Sequence, residues 1–413
     1  MAFRESKLAL LLKLGARNIF RQRLRTGVTL GAIAFGVAGI IVSGGFVQDM
    51  FIQLAEAIIH SQSGHIQLAK TGFFAKGAQS PERYLISDPK SETEFLAEVP
   101  GVIESMARIN FSGLLNNRKS DSPIIGEGIE PAKEAALGSH LVIQAGRHLS
   151  DADRYSMLLG QGIAHVMKLN PGDHATLVVS TAEGAMNTLD FEVVGIFQSF
   201  SQEYDSRAVR IPLAAAQELL SSSGANVIVV ALRDTSDTDR VARVLGKHAA
   251  AGGLEVKMWE ELNEFYQGAV AFYEREFGVL QLIILLMVLL GVINAINMSA
   301  FERIGEFGTM RAVGNRRSDV FMLVVVEGVL IGFLGASIGT VVGGLIATSI
   351  SAIGIPMPPP PNSNLPYTAH IRLVPSVIVS AFLIGLGGAV LASVLPAFRV
   401  SRIPVAVALR ENV

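Results

Sequence analysis

The sequence predicts a membrane protein with four transmembrane α-helices and a large α+β extracytoplasmic domain inserted between helices 1 and 2. Three observations predict this fold class. Half of the 413 residues are hydrophobic and only 17% are charged, whereas an ordinary soluble domain carries about 25% charged residues. Four apolar segments are each long enough to cross a bilayer, which requires about 20 residues. Basic residues flank these segments unevenly.

The four membrane helices follow from the apolar runs. Helix 1 with its stalk is predicted over residues 27–60, and a stalk with helix 2 over residues 266–300. Helix 3 is predicted over 320–350 and helix 4 over 373–395. Helices 1 and 2 both continue past the apolar run. We therefore predict rigid helical connections between the membrane and the external domain.

The basic residues predict the orientation. Lysine and arginine are frequent in segments 1–26, 301–319 and 396–413, whereas the outer loop 351–372 contains only Arg372. Short loops rich in these residues stay in the cytoplasm. Both termini and the 301–319 loop are therefore predicted to be cytoplasmic, and the large domain lies outside.

Residues 1–26 are predicted to form a cytoplasmic amphipathic helix. Leu8 and Leu11 can face lipid while Arg17 and Arg21 face headgroups or solvent. The main interpretation is a helix that anchors the chain on the inner membrane surface. Direct docking of a partner is the alternative.

Residues 61–265 are predicted to form the extracytoplasmic domain. Alternating patterns predict strands, for example over 64–69 and 189–198, and amphipathic patterns predict helices between them. Such alternation is typical of layered α+β folds. We expect two subdomains.

The composition excludes several functions. A net charge of −2 gives no indication of nucleic-acid binding, and there are no cysteines. The sequence has no phosphate loop, no His-Glu-x-x-His and no Gly-x-Ser-x-Gly, and its eight histidines are scattered. No catalytic or metal-binding residue is therefore predicted, and the chain is not expected to be an enzyme.

Segment 301–319, between helices 2 and 3, is the most informative stretch. It is charged, punctuated by glycine, and placed where two membrane helices turn around. We interpret it as a coupling loop containing a short charged helix on which a cytoplasmic partner can push. Its predicted coupling residues are Glu302, Arg303, Glu306, Gly308, Arg311 and Gly314.

Helix 3 contains small residues and one charge. Gly335, Gly339 and Gly343 recur every four residues, which lets another helix approach closely, although the sequence does not say which helix. Glu327 lies inside the apolar run, about two turns from its cytoplasmic end. An ion pair with an inner-face arginine is the main interpretation, and roles in coupling or as a proton relay are the alternatives.

The outer loop 351–372 contains the run Ile355-Pro-Met-Pro-Pro-Pro-Pro361. Consecutive prolines favour an extended polyproline helix. A rigid crossover is the simpler interpretation, and the rim of a lateral substrate opening is the alternative.

The coupling residues resemble the coupling stretch of permease subunits of MacB/LolC/FtsX-type ABC transporters, with Phe307 where that family has isoleucine. Glu327-Gly328, the tail 396–410 and external segments 191–196 and 211–217 are also similar. So is the layout of one helix, a large external domain and three further helices. The strand after helix 1 and the proline-rich loop resemble the lipoprotein-releasing, LolC/LolE-like branch most.

This resemblance implies a permease subunit of a bacterial inner membrane. Cytoplasmic ABC ATPase subunits would bind ATP and magnesium, so this chain is expected to bind no cofactor. A second permease copy or a paralogue would complete a homo- or heterodimer. Membrane lipid and a periplasmic lipoprotein carrier or adaptor are the other implied partners, and nucleic acid is not one.

The implied function is extraction or export of a lipidated or hydrophobic substrate, as in lipoprotein release. Movement caused by ATP hydrolysis would reach the external domain through the stalks, a process termed mechanotransmission. Two alternatives stay open: MacB-like efflux of peptides or antibiotics, and an FtsX-like regulator of a cell-wall hydrolase that transports nothing.

Overall fold

The computed structural model describes residues 11, 13–18, 21, 23–77, 81–137, 141–181, 183–359 and 366–410. Parts of the predicted N-terminal helix, the proline-rich loop and the tail therefore lie outside the described residues. The chain forms two compact units. One is a membrane unit within Met1–Phe51, Val270–Pro356 and Thr368–Val413, and the other comprises Ile52–Ala269 and Met357–Tyr367.

Four helices among the described residues are long and apolar enough to cross a membrane, which confirms the predicted number. Each exceeds the 20 or so residues that a bilayer requires. A π-helical turn, Ile59–Ser63, follows the first of them. The four membrane helices are Arg23–Ile58, Glu264–Glu302, Arg317–Ile353 and Pro375–Ser401.

The glycines of the third membrane helix pack against the first. A Cβ atom added at Gly339 would lie 2.7 Å from the Ala34 carbonyl oxygen, and one at Gly343 would lie 3.0 Å from the Ala38 Cα. A Cβ at Gly335 would lie 2.9 Å from the Ile33 Cβ. Only glycine allows the two backbones to approach this closely.

Nearer its N-terminal end, the same face of the third membrane helix packs against the fourth. A Cβ atom added at Gly328 would lie 2.4 Å from the Ser393 Cβ, and one at Gly332 would lie 2.7 Å from the Ala389 Cβ. Glycines at successive heights on one face thus make the third helix the common neighbour of the first and fourth.

The second unit is built on one ten-stranded mixed sheet. The strands are β1 Ile66–Lys70, β2 Val102–Asn116, β3 Asp121–Ile129, β4 Val142–Gly146, β5 Ser156–Gly160, β6 His174–Ser180, β7 Met186–Gln198, β8 Ala208–Pro212, β9 Val227–Leu232 and β10 Leu254–Met258. Their order in the sheet is β10-β1-β9-β2-β3-β8-β5-β7-β4, with β6 paired to β2 and β7.

Helices cover this sheet and form separate apolar cores with it. Ile163 and Leu219 pack with Phe111 and Phe191 in one core, whereas Leu245 packs with Ile66 in another. The two predicted subdomains stay a prediction, since their strands share one sheet. The α-helices of this unit are Phe73–Lys76, Pro89–Ala97, Pro131–Leu137, Gln161–Met167, Gln202–Asp205, Leu213–Leu219, Thr238–Gly252 and Trp259–Leu262.

The outer loop differs from the expected polyproline helix in its described part. Ile355–Met357 forms a short strand, β11, that pairs with β12, Tyr367–Ala369. A two-stranded ribbon has only edges, where a proline that cannot donate a hydrogen bond is tolerated. Residues 360–365, which include Pro360 and Pro361, lie outside the described residues.

We expect Gly339→Leu to lower the melting temperature of the protein in nanodiscs. The new side chain would meet the backbone of the first membrane helix, and overpacking of this kind costs about 1–3 kcal/mol. Gly344→Leu is the control on the same helix, because nothing lies within 4 Å of its added Cβ. Equal effects of the two substitutions would contradict the packing.

We also expect a disulfide to form between Ala38→Cys and Gly343→Cys. A Cβ at Gly343 would lie 3.4 Å from the Ala38 Cβ, close to the roughly 3.5–4.5 Å of disulfides. The chain has no native cysteine, so mass spectrometry after mild oxidation gives a clear result. The control pair, Ala38→Cys with Gly344→Cys, should stay reduced. A disulfide in the control pair but not in the Ala38→Cys, Gly343→Cys pair would refute the predicted helix pairing.

Candidate functional site

Within the predicted coupling loop lies a short helix, Ile304–Ala312, which we call the coupling helix. It begins two residues after Glu302, where the second membrane helix ends. It stops before Gly314, whose φ of +107° is rarely adopted by residues with a side chain. Its buried residues are Ile304, Gly305, Phe307 and Gly308.

Arg303 and Glu327 form a buried ion pair between the start of the coupling helix and the third membrane helix. Arg303 Nη1 donates to both carboxylate oxygens of Glu327, at 2.9 and 3.1 Å. The two side chains are only 10% and 11% exposed. Charged hydrogen bonds in such surroundings are strong, because little water competes for them.

The ion pair extends into a larger polar network. Arg303 Nε donates to Glu306 Oε2 at 3.0 Å, and Arg21 Nη1 donates to Glu306 Oε1. Asn18 Nδ2 donates to Glu327. The network therefore joins the coupling helix to the third membrane helix and to the segment that precedes the first.

The electrostatics of the network favour the charged forms of Arg303 and Glu306. Burial lowers the pKa of Arg303, but the Glu327 and Glu306 carboxylates together raise it by more, so the net change is upward. Partial burial raises the pKa of Glu306, while hydrogen bonds from Arg303 and Arg21 lower it by more, and the net change is downward. Both shifts favour the charged forms that the ion pairs require.

The C-terminal end of the coupling helix contacts the tail. Arg311 Nη1 donates to the Ile403 carbonyl oxygen at 2.6 Å. Ile403 lies between the fourth membrane helix and the last helix, Val405–Arg410. The coupling helix is thus held at both ends by arginine.

The structure gives the six predicted coupling residues different positions. Arg303, Glu306 and Arg311 make the side-chain contacts described above. Gly308 is buried in the coupling helix, and Gly314 forms the turn that follows it. Glu302 is exposed at the end of the second membrane helix.

The sequence interpretation missed a second polar contact, at the other end of the membrane unit. The Asp49 carboxylate accepts hydrogen bonds from the His370 backbone N–H and from Arg372 Nε, both at 2.8 Å. The Arg372 backbone N–H also donates to the Gly45 carbonyl oxygen at 3.3 Å. We call this contact the outer clamp. Its signal in the sequence was Arg372, the sole lysine or arginine of the outer loop.

Two protein families match this chain over most of its length. Residues 26–247 match the MacB-like periplasmic core domain, and residues 278–405 match the FtsX-like permease C-terminal domain. The second match includes the coupling helix and the third and fourth membrane helices. The first match includes most of the first membrane helix together with the β-sheet domain.

Three curated relatives show the range of similarity. An uncharacterized ABC transporter permease of Methanocaldococcus jannaschii is 26% identical over 61% of this chain and 62% of its own length. The macrolide export ATP-binding/permease protein MacB of Rhodospirillum rubrum is 24% identical over 96% of this chain and 60% of its own. The lipoprotein-releasing system transmembrane protein LolC of Xylella fastidiosa is 23% identical over 95% of both chains. The chain thus spans about three fifths of the first two relatives.

The chain belongs to the MacB/LolC/FtsX type of ABC transporter permeases, because the MacB-like domain alone matches more than half of it. This confirms the resemblance found in the coupling residues. The protein is therefore a membrane protein with a domain of the periplasmic type.

We expect Glu327→Gln to destabilise the protein, because it leaves the Arg303 charge buried beside a neutral partner. Breaking a buried pair in this way costs up to about 3–5 kcal/mol. Replacing both residues by leucine should recover most of that stability, since no unpaired charge remains. Thermal unfolding in nanodiscs would measure both effects.

Glu274→Gln is the matched control, because Glu274 is an exposed carboxylate of the same membrane unit. If Glu327→Gln changed the melting temperature no more than Glu274→Gln, the buried pair would contribute nothing to stability.

Proposed function

We propose that this chain is the permease subunit of an ABC transporter that extracts or exports a lipidated or hydrophobic substrate. ATP hydrolysis by a separate cytoplasmic ATPase drives a movement of the coupling helix. The membrane helices carry that movement to the extracytoplasmic domain, which acts on the substrate at the outer face of the membrane.

The observation that carries this proposal is the polar network around Arg303. A push on the coupling helix reaches the third membrane helix through Glu327 and the segment before the first through Glu306 and Arg21. The Arg303–Glu327 pair resists separation because each partner would be left buried without its counter-charge. Arg21 and Glu306 are more exposed, at 68% and 41%, so their pair is weaker. The network therefore suits the transmission of force.

An exposed surface supports the docking of an ATPase at the coupling helix. Beyond its C-terminal end, Val313 is 83% exposed, and Asn315 and Arg316 are exposed as well. The sequence has no phosphate loop of its own. ATP and magnesium accordingly belong to the ATPase in this proposal, and the chain binds no cofactor.

The proposed orientation places both termini and the coupling helix in the cytoplasm of a bacterial inner membrane, in accordance with the basic residues. The second membrane helix has a strongly apolar, exposed face. Lipid and a second permease copy or paralogue cover this face in the proposal. Its exposed large side chains include Val279, Leu282, Ile283, Met287 and Leu290.

The similarity to LolC over 95% of both chains supports a lipoprotein-like substrate. A periplasmic carrier or adaptor would receive the substrate after its release. The match of residues 26–247 to the MacB-like periplasmic core domain favours a second candidate, MacB-like efflux of peptides or antibiotics.

The proposal predicts ATP-dependent release of a lipoprotein from proteoliposomes that contain this chain, its ATPase and a triacylated lipoprotein. A Glu306→Lys, Arg311→Glu variant should bind less ATPase, because it reverses two charges of the coupling helix. We expect its release rate to fall about fivefold or more, which is an ordinary size for coupling between two sites. Release is measured by sedimentation of the liposomes, and binding by copurification.

Glu274→Gln serves again as the control and should release lipoprotein at the normal rate. Normal ATPase binding and release by the double charge-reversal variant would refute the role of the coupling helix. Efflux of a macrolide without lipoprotein release would decide for the second candidate.

A further inference from the structure

The π-helical turn Ile59–Ser63 continues the first membrane helix into the second unit. Carbonyl groups in the last turn of a helix have no partners within the helix and carry its negative dipole end. Ser61 and Ser63 are buried, so water has limited access to this turn. Its carbonyl groups accept hydrogen bonds from side chains of the domain.

Arg108, on strand β2, supplies one donor. Its Nη1 atom donates to the Gln62 carbonyl oxygen at 2.5 Å. Its Nε and Nη2 atoms donate to the two carboxylate oxygens of Glu134, at 2.5 and 2.8 Å. This bidentate pairing fixes the plane of the guanidinium group and aims its remaining donor at the turn.

Arg210, on strand β8, supplies the second donor. Its Nη2 atom donates to the Ser61 carbonyl oxygen at 3.1 Å. Its Nε atom donates to Glu127 Oε2 at 3.0 Å and to the Tyr204 hydroxyl oxygen at 3.1 Å. Glu127 lies on β3 directly opposite Arg210, so the pairing of the strands positions this ion pair.

Both arginines are buried and charged. Arg108 is 3% exposed and Arg210 is 4% exposed. Burial lowers the pKa of Arg108, but the Glu134 and Glu127 carboxylates raise it by more. Burial raises the pKa of Glu134, but the charge and hydrogen bonds of Arg108, together with the Arg210 charge, lower it by more. Buried pairs of this type add little net stability, so their presence here calls for another explanation.

The arginines are charged directional contacts of the turn, and Gln67, on β1, adds a neutral one by donating to the Ser63 carbonyl oxygen at 2.8 Å. A cavity of about 400 Å³ is lined by Gln62, Ser63 and Arg108, and another of about 270 Å³ by Ser61 and Arg210. On another face, the apolar side chains Ile58 and Ile59 pack with Trp259. Apolar contact has no preferred direction, whereas a hydrogen bond depends on distance and angle.

We propose that Arg108 and Arg210 form a joint that transmits movement of the first membrane helix to the β-sheet of the extracytoplasmic domain. Each arginine holds one carbonyl group of the turn and is itself held by strands or helices of the domain. They act as positioning residues for transport. This inference rests on the proposed function, since it assumes that movement of the membrane helices does work on the substrate.

The test replaces a whole pair, Arg108→Met with Glu134→Leu, so that no unpaired charge is buried. In this variant, a water molecule in the polar cavity can donate a hydrogen bond to the Gln62 carbonyl oxygen, because the cavity is large enough to hold it. We expect ATP hydrolysis by the reconstituted complex to continue while lipoprotein released per ATP falls about fivefold or more. Arg108→Lys, which keeps one charged donor, should recover part of the loss.

The control is Arg147→Met, which removes another bidentate pair of the same domain, with Asp153, that does not touch the turn. Its release per ATP should equal that of the wild type. Unchanged release per ATP in the Arg108, Glu134 variant would overturn the joint, and so would equal losses in variant and control.

A second measurement does not depend on the substrate. Spin labels at Gln53→Cys, in the stalk, and Glu98→Cys, in the domain, report the distance across the joint. We expect a narrow distance distribution in the wild type and a clearly broader one in the Arg108, Glu134 variant. Distance distributions of equal width in the wild type and the variant would refute the joint. Failure of the wild type to release lipoprotein, with a difference in width retained, would refute the proposed substrate alone.

Discussion

The ion pair between Arg303 and Glu327 is the constraint on which the arrangement of the membrane unit depends. An unpaired carboxylate inside an apolar helix costs about 2.5–3.5 kcal/mol on insertion scales, so Glu327 requires a cationic partner. Arg303 meets this requirement only if the chain turns immediately after the second membrane helix. The coupling helix is consequently held against the third membrane helix, and Gly314 then redirects the chain.

Helix packing in this unit has a different origin from packing in a soluble core. Lipid is as apolar as leucine, so burial of leucine does not bring membrane helices together. Close approach at Gly335, Gly339 and Gly343 supplies van der Waals contact along the first and third helices. The polar contacts lie near the ends of the helices, where they set register. The glycine contacts thus set how closely the helices approach, and the polar contacts set how the helices are aligned along their length.

Local patterns were enough to predict the four membrane helices, the inserted α+β domain and the family. Contacts between distant segments were not predictable, because the hydrophobic periodicity of one segment does not say which other segment it contacts. Glu327 stood out as a charge in an apolar run, and an inner-face arginine was expected as its partner, but the sequence did not say which arginine. Arg108 and Arg210 sit in strand patterns as ordinary polar residues, and only the fold brings them to Gln62 and Ser61. The orientation and the two subdomains stay predictions.

The outer clamp restrains the first and fourth membrane helices at one end of the membrane unit. Asp49, which is 1% exposed, fastens the first membrane helix to the residues that lead into the fourth. Separation of these two helices at this end would strand a buried carboxylate. The second membrane helix meets the first at this end through the rings of Tyr273 and Phe51, whose centroids lie 6.0 Å apart. Apolar contact has no preferred direction, whereas a hydrogen bond depends on distance and angle, so the second helix is freer than the fourth to slide along the first.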